Sequence, residues 1–127
     1  MGKKWSLVFG VVFLVVGLLG MLGGMGVFGP DGVFMTDNVH DWVHILSGVV
    51  FLLVAFAMPS KAHVWMKIFG VVYLVVGVLG FFMNPVLGFL SVNQADNWLH
   101  LVLGVVILLV GVKCGRSGLP MVTTPTV

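Results

Sequence analysis

The chain has 127 residues, 60% of them hydrophobic and only 8% charged, with a mean hydropathy of +1.20. Soluble domains carry about a quarter charged residues, so water is excluded as the main solvent, and the length allows one domain over residues 1–127. Cys114 is the only cysteine, which excludes an internal disulfide scaffold; the few dispersed basic residues exclude a nucleic-acid-binding face.

A spanning helix takes roughly 20 mostly apolar residues to cross about 30 Å of hydrocarbon. The first qualifying stretch runs from about Lys4 to Gly24. A connection containing Gly29-Pro30-Asp31-Gly32 follows, a turn signal. The second span is expected over Asn38 to Met58 and is ended by Pro59-Ser60, because proline cannot continue helical hydrogen bonding. The third is expected over Ala62 to Met83, closed by Asn84-Pro85, and the fourth over Asn93 to Lys113, leaving a tail over residues 114–127.

The basic residues (Lys3, Lys4, Lys61, Lys67, Lys113, Arg116) gather at the two termini and the Pro59 turn, whereas Asp31, Asp37, Asp41 and Asp96 lie in or beside the other two connections. Lys and Arg favour the cytoplasmic side, so both termini are expected inside and both aspartate-bearing loops outside. Each span also starts near one tryptophan (Trp5, Trp42, Trp65, Trp98), whose amphipathic ring suits the membrane interface. Lys3-Lys4 before an apolar run resembles a signal peptide, but no A-x-A-like cleavage site follows, and the third span copies the first from mid-chain. The first span is therefore read as retained.

That copy is extensive. Phe9-Gly10-Val11-Val12-Phe13-Leu14-Val15-Val16-Gly17-Leu18-Leu19-Gly20 recurs as Phe69-Gly70-Val71-Val72-Tyr73-Leu74-Val75-Val76-Gly77-Val78-Leu79-Gly80, and Trp42-Val43-His44 with Gly48 recurs as Trp98-Leu99-His100 with Gly104. The expectation is an all-α membrane protein: a four-transmembrane-helix bundle from two tandem helical hairpins, residues 4–58 and 62–113, in a parallel pseudo-two-fold repeat about the membrane normal. Gly10 and Gly17, Gly48 and Ala55, Gly70 and Gly77, and Gly104 and Gly111 are each seven apart. This is the spacing of a left-handed helix seam, and small residues allow close backbone approach in lipid. Gly20 and Gly24 add a G-x-x-x-G spacing. The seams pack the bundle, and some of them are candidates to face another subunit, as a homo-oligomer or in a larger membrane complex.

Polar chemistry gathers where spans two and four begin, in Asp37-Asn38-Val39-His40-Asp41-Trp42-Val43-His44 and Asn93-Gln94-Ala95-Asp96-Asn97-Trp98-Leu99-His100. Residues four apart share a helix face, which pairs His40 with His44 and Asp96 with His100. The Asp and Asn residues suit helix N-caps. His44 and His100 lie two residues inside the tryptophan level, roughly 3 Å deeper, where an ionisable group faces the bundle and has a partner. Three roles fit. The histidines pin the loops by hydrogen bonds. Or they form a cofactor site, with His40, His44, Asp96 and His100 as a zinc or copper set, or with His44 and His100 as axial haem ligands. Or they start a proton or small-solute path, which needs polar groups deeper in the membrane. No Ser-His-Asp arrangement, phosphate loop or carboxylate pair is present, so a non-enzymatic structural or accessory role leads. His63 and Cys114 read as interface residues.

The run Gly88-Phe89-Leu90-Ser91-Val92-Asn93 with Asp96-Asn97-Trp98-Leu99-His100 and Gly104 resembles a motif, N-x-x-H-x-x-x-G at its centre, of small bacterial four-helix membrane proteins in a domain-of-unknown-function family, number 4383. The resemblance covers the first span to about Val112. It implies Asn93, Asn97, His100 and Gly104 as motif positions, a bacterial plasma (inner) membrane location and no known activity. The first half departs from it, with Asp37 where Asn93 stands and Asp41 where Asn97 stands.

Overall fold

Long runs of Val, Leu, Phe and Gly without a charge leave the backbone to satisfy its own polar groups, which an α-helix does within one segment. In the computed structural model, which describes residues 1–117, the apolar runs become α1 (Gly2–Met21), α2 (Asn38–Ala57), α3 (Ala62–Gly80) and α4 (Gln94–Arg116). All four are long and apolar enough to cross a membrane.

Their ends follow local chemistry. α1 stops at Met21 instead of Gly24 because Gly23 and Gly24 take positive φ of 87° and 53°, and the chain turns there into a short 3-10 segment, Gly24–Gly26. Gly20 and Gly24 therefore share no helix, and the G-x-x-x-G spacing makes no packing face. The Asp37 carboxylate caps α2 by accepting the His40 amide. α4 opens with a capping box, in which Asn93 accepts from the Asp96 amide while the Asp96 side chain accepts from the Asn93 amide. Pro59 begins a single 3-10 turn, Pro59–Lys61, that leads straight into α3. α3 ends at Gly80, three residues short of the expected Met83, with Phe82 and Met83 bonded back to the Leu79 carbonyl. α4 runs on through Cys114 to Arg116, so the expected tail loses its first residues to the helix; residues 118–127 of that tail lie outside the described chain.

α1 packs along α2 and α3 along α4, and glycine sets the closeness of both pairs. A Cβ added at Gly10 would meet Leu52 at 2.8 Å, and one at Gly48 would stand 2.7 Å from the Leu14 backbone nitrogen. The second pair repeats this: Gly70 faces Leu108, and Gly104 faces the Leu74 nitrogen, both at 2.7 Å. Gly17 and Gly77 lie against Ile45 and Leu101, and Gly111 against Lys67 and Met66; Ala55 is fully buried. Each of these glycines lies against the neighbouring helix of its own pair.

The two pairs meet through larger side chains. Phe13 of α1 stacks on Phe51 of α2 and leans on Tyr73 of α3, with ring centroids 5.8 and 4.9 Å apart, and Phe51 contacts Phe69 of α3 at 4.6 Å. Val54, Met66 and Ile107 complete this core. At one end of the molecule Gly2 approaches Ala62 and Gly115 approaches His63. At the other, two short strands, β1 (Phe28–Gly29) and β2 (Phe34–Met35), pair in parallel, and Val86, Leu90 and Val92 form a second small core with Val43 and Leu79. The tryptophans Trp42 and Trp98 turn outward beside these loops, 51% and 61% exposed.

Candidate functional site

Under the loop end, the first turns of α2 and α4 carry a buried polar group. Helical spacing places His40 and His44 on one face of α2, with ring centroids 4.9 Å apart. His100, on the second turn of α4, faces both, at 5.4 Å from His40 and 6.0 Å from His44. One ring nitrogen from each histidine lies within 4.8 Å of the others, and all three residues are buried.

The backbone orients two of the rings. The Nδ1–H of His40 donates to the Ser91 carbonyl at 2.9 Å, and that of His100 to the Asp96 carbonyl one turn back at 2.7 Å. A carbonyl only accepts, so each neutral ring holds its proton on Nδ1 and keeps the Nε2 lone pair free. Metal-binding histidines are held in this way, the second ring nitrogen anchored to a carbonyl or carboxylate. The Nδ1 of His44 has no hydrogen-bond partner among the described residues, an uncommon state for a buried polar atom.

The three rings border a cavity of about 60 Å³, lined also by Val43, Ser47, Phe69, Val72, Tyr73, Val76 and Leu90. Tyr73 donates to Ser47 Oγ at 3.2 Å, and Ser47 donates to the Val43 carbonyl at 2.7 Å. The Tyr73 ring also stacks on His100, 5.5 Å between centroids. Phe13, Phe51 and Met66 belong with Tyr73 to the buried core, and Phe69 packs against it.

The expected four-ligand set is corrected at Asp96. Its Oδ2 accepts from the amides of Met35 at 2.8 Å and Asn93 at 3.0 Å, and the residue is not part of the histidine group. Spacing along α4 put Asp96 on the His100 face, but capping its own helix and holding β2 turns the carboxylate toward backbone donors. The cavity at His44 and His100 is small for the haem alternative. Sites for organic cofactors span roughly 300–1,000 Å³, far above about 60 Å³. A single ion fits.

Loop contacts clasp the site. Asp37 accepts from the Ser91 amide at 3.3 Å, and the Asn93 side chain donates to the Val33 carbonyl at 3.0 Å. Partial burial pushes the Asp37 carboxyl upward, but hydrogen bonds from Ser91 and His40 outweigh it and hold the group below the usual aspartate value of 3.8. Asp41 and Asn97 turn away from the histidines. Each lies on a glycine at the far end of the preceding helix, Asp41 on Gly20 and Asn97 on Gly80, where any side chain would collide with it. His63 and Cys114 border an open hollow at the opposite end of the molecule with Pro59 and Ser60.

Sequence reasoning did not place Tyr73, Ser91, Gly20 or Gly80 at the site or its support. Ser91 contributes a backbone carbonyl, which no side-chain pattern reports. Tyr73 had a signal: it is the position at which the copied helix departs from Phe13 by gaining a hydroxyl.

A family model described as a domain of unknown function (DUF4383) matches residues 3–113. No curated protein and no solved structure matches the chain. The chain belongs to the DUF4383 family.

Proposed function

We propose that this DUF4383 member is a four-span membrane protein, built from two tandem hairpins, that binds one transition-metal ion through His40, His44 and His100. The single observation that carries the functional part is the buried triad of converging ring nitrogens within 4.8 Å of one another. Imidazole nitrogen suits zinc and copper, and backbone anchoring of His40 and His100 through Nδ1 leaves the Nε2 of each ring unprotonated. An accessory role in the membrane fits this better than catalysis, because the cavity admits an ion and little else.

The membrane part of the reading rests on charge and symmetry. Both termini and the Pro59 turn carry the lysines and the arginine, which supports a cytoplasmic position for them and an outer position for the histidines. Residues 11–20 and 71–80 have the same sequence of buried, half-buried and exposed positions, which supports a parallel repeat of residues 4–58 and 62–113. The plasma membrane of a bacterium and a lipid bilayer as the principal partner complete the proposal. An oligomer would have to use surfaces other than the glycine seams.

Metal analysis of detergent-purified protein tests it. One equivalent of zinc or copper per chain is expected, retained through gel filtration and lost in a His44→Ala, His100→Ala double variant that elutes as the unaltered protein does. A metal-free wild-type protein that takes up neither ion on titration would contradict the reading.

A further inference from the structure

We propose that the ion held by His40, His44 and His100 is copper in its monovalent state, an inference that rests on the metal-binding reading above. The ligand set is three imidazoles, with neither a carboxylate nor a thiolate in the group. None of the nearby acids belongs to the group. Asp37 accepts from the His40 and Ser91 amides, Asp96 from those of Met35 and Asn93, and Asp41 lies on Gly20 of α1. These carboxylates act on His40 through space, so they offset part of an incoming ion's charge without ligating it, and the rest is buried beside the N-terminal, positive ends of α2 and α4. The cost of burying an ion rises with the square of its charge, so a divalent ion costs about four times a monovalent one of similar radius.

Coordination number points the same way. Zinc closes a tetrahedron and needs a fourth ligand. Ser47 and Tyr73 are the lining residues with a side-chain oxygen, and both hydroxyl protons are committed to hydrogen bonds, Tyr73 to Ser47 and Ser47 to Val43. Neither offers an anion. Solvent would have to supply the fourth ligand in a pocket otherwise walled by Val72, Val76 and Leu90. Monovalent copper has a filled d shell and is satisfied by three nitrogens in a plane. With bonds of about 2.0 Å, trigonal nitrogens stand about 3.5 Å apart, which rotation of side chains now within 4.8 Å can reach.

Among divalent ions copper outcompetes zinc at most nitrogen sites, so the informative comparison is between the two states of copper. The full chain, purified in detergent, is loaded anaerobically with Cu(I) in competition with bicinchoninate. It is then exposed to air and measured by electron paramagnetic resonance and copper K-edge absorption, with parallel samples given Cu(II) and Zn(II). The expected result is one Cu(I) per chain, three-coordinate and silent in the resonance spectrum after air exposure. His40→Ala is expected to weaken Cu(I) binding by ~100-fold or more, at least the upper end of what losing a supporting partner costs. A Cu(II) signal growing toward one spin per chain, or bound zinc that excess Cu(I) fails to displace, would overturn the assignment of valence and leave the metal site standing. Failure of all three ions to bind the wild-type chain would overturn both, and that outcome does not depend on any variant folding.

Discussion

The two hairpins match where they hold themselves together and differ where they face each other. Gly10, Gly17, Gly20 and Gly48 of the first correspond to Gly70, Gly77, Gly80 and Gly104 of the second, and each glycine meets the same kind of neighbour in its own hairpin. Across the shared interface the pairs diverge: Phe13 against Tyr73, Ser47 against Leu103, His40 against Asp96. Common positions fix the scaffold because two helices can approach only over small residues. Divergent positions are free to differ because each side meets the other hairpin once. His44 and His100 are shared, and the departure at His40 turns that pair into a triad.

The comparison can be broken most forcefully at the glycines. Gly48→Val and Gly104→Val each press a Cβ to 2.7 Å from a backbone nitrogen that cannot rotate away, so both should cost about 3 kcal/mol or more. Unfolding of the two variants in mixed micelles checks this. A large loss in one hairpin and none in the other would contradict the equivalence.

A second test separates His40 from its counterpart. His40→Ala should weaken metal binding by ~100-fold or more with a modest change in stability. Asp96→Ala should keep the metal but lose a capping box, at about 1–2 kcal/mol. Isothermal titration and thermal unfolding on both variants read the two effects independently. Equal loss of metal in both would restore Asp96 as a ligand.

Asp41→Asn makes the first hairpin resemble the second. The Oδ1 atoms of Asp41 and Asn97 are both buried without a partner among the described residues, so an amide at 41 keeps the shape, removes a buried carboxylate charge and adds donors beside the last turn of α1. The expected change is a gain of about 0.5–1 kcal/mol, read as a raised melting temperature; a loss of that size would show that Asp41 has a role Asn97 lacks.

The smallest effect is at the loop clasp. Asp37 titrates lower in the folded chain than its ordinary value of 3.8. Its contribution is therefore complete above that value and disappears as pH falls through the lower folded one. Asp37→Asn should flatten part of the stability decline below about pH 4, checked by melting curves of the two proteins in parallel. Identical acid limbs would remove Asp37 from the clasp.

Much of this scaffold is legible without coordinates, because spans, turns and seams are written as composition and period. The Pro59 turn and the spacing of seven between glycines come from neighbours along the chain, and the His44–His100 correspondence from matching one segment against another. What one helix cannot report is its partner. The carbonyl that orients His40 belongs to Ser91, 51 residues away, and the residues that require Gly20 and Gly80 are Asp41 and Asn97 on the next helix. Asp96 misled for the opposite reason, since a shared helix face with His100 says nothing of the amides in the loops that engage its carboxylate. The end of α1 at Met21 depends on glycines adopting positive φ, which a hydrophobic run conceals.

The central claim is that one ion is held by histidines from both hairpins, and X-ray absorption fine structure on the metal-loaded full chain tests it most directly. Scattering from three imidazoles at about 2.0 Å, falling by one imidazole in the metal that His100→Ala retains at high loading, is the predicted result. A metal whose spectrum is unchanged in His100→Ala would contradict it, because the site would then belong to α2 alone.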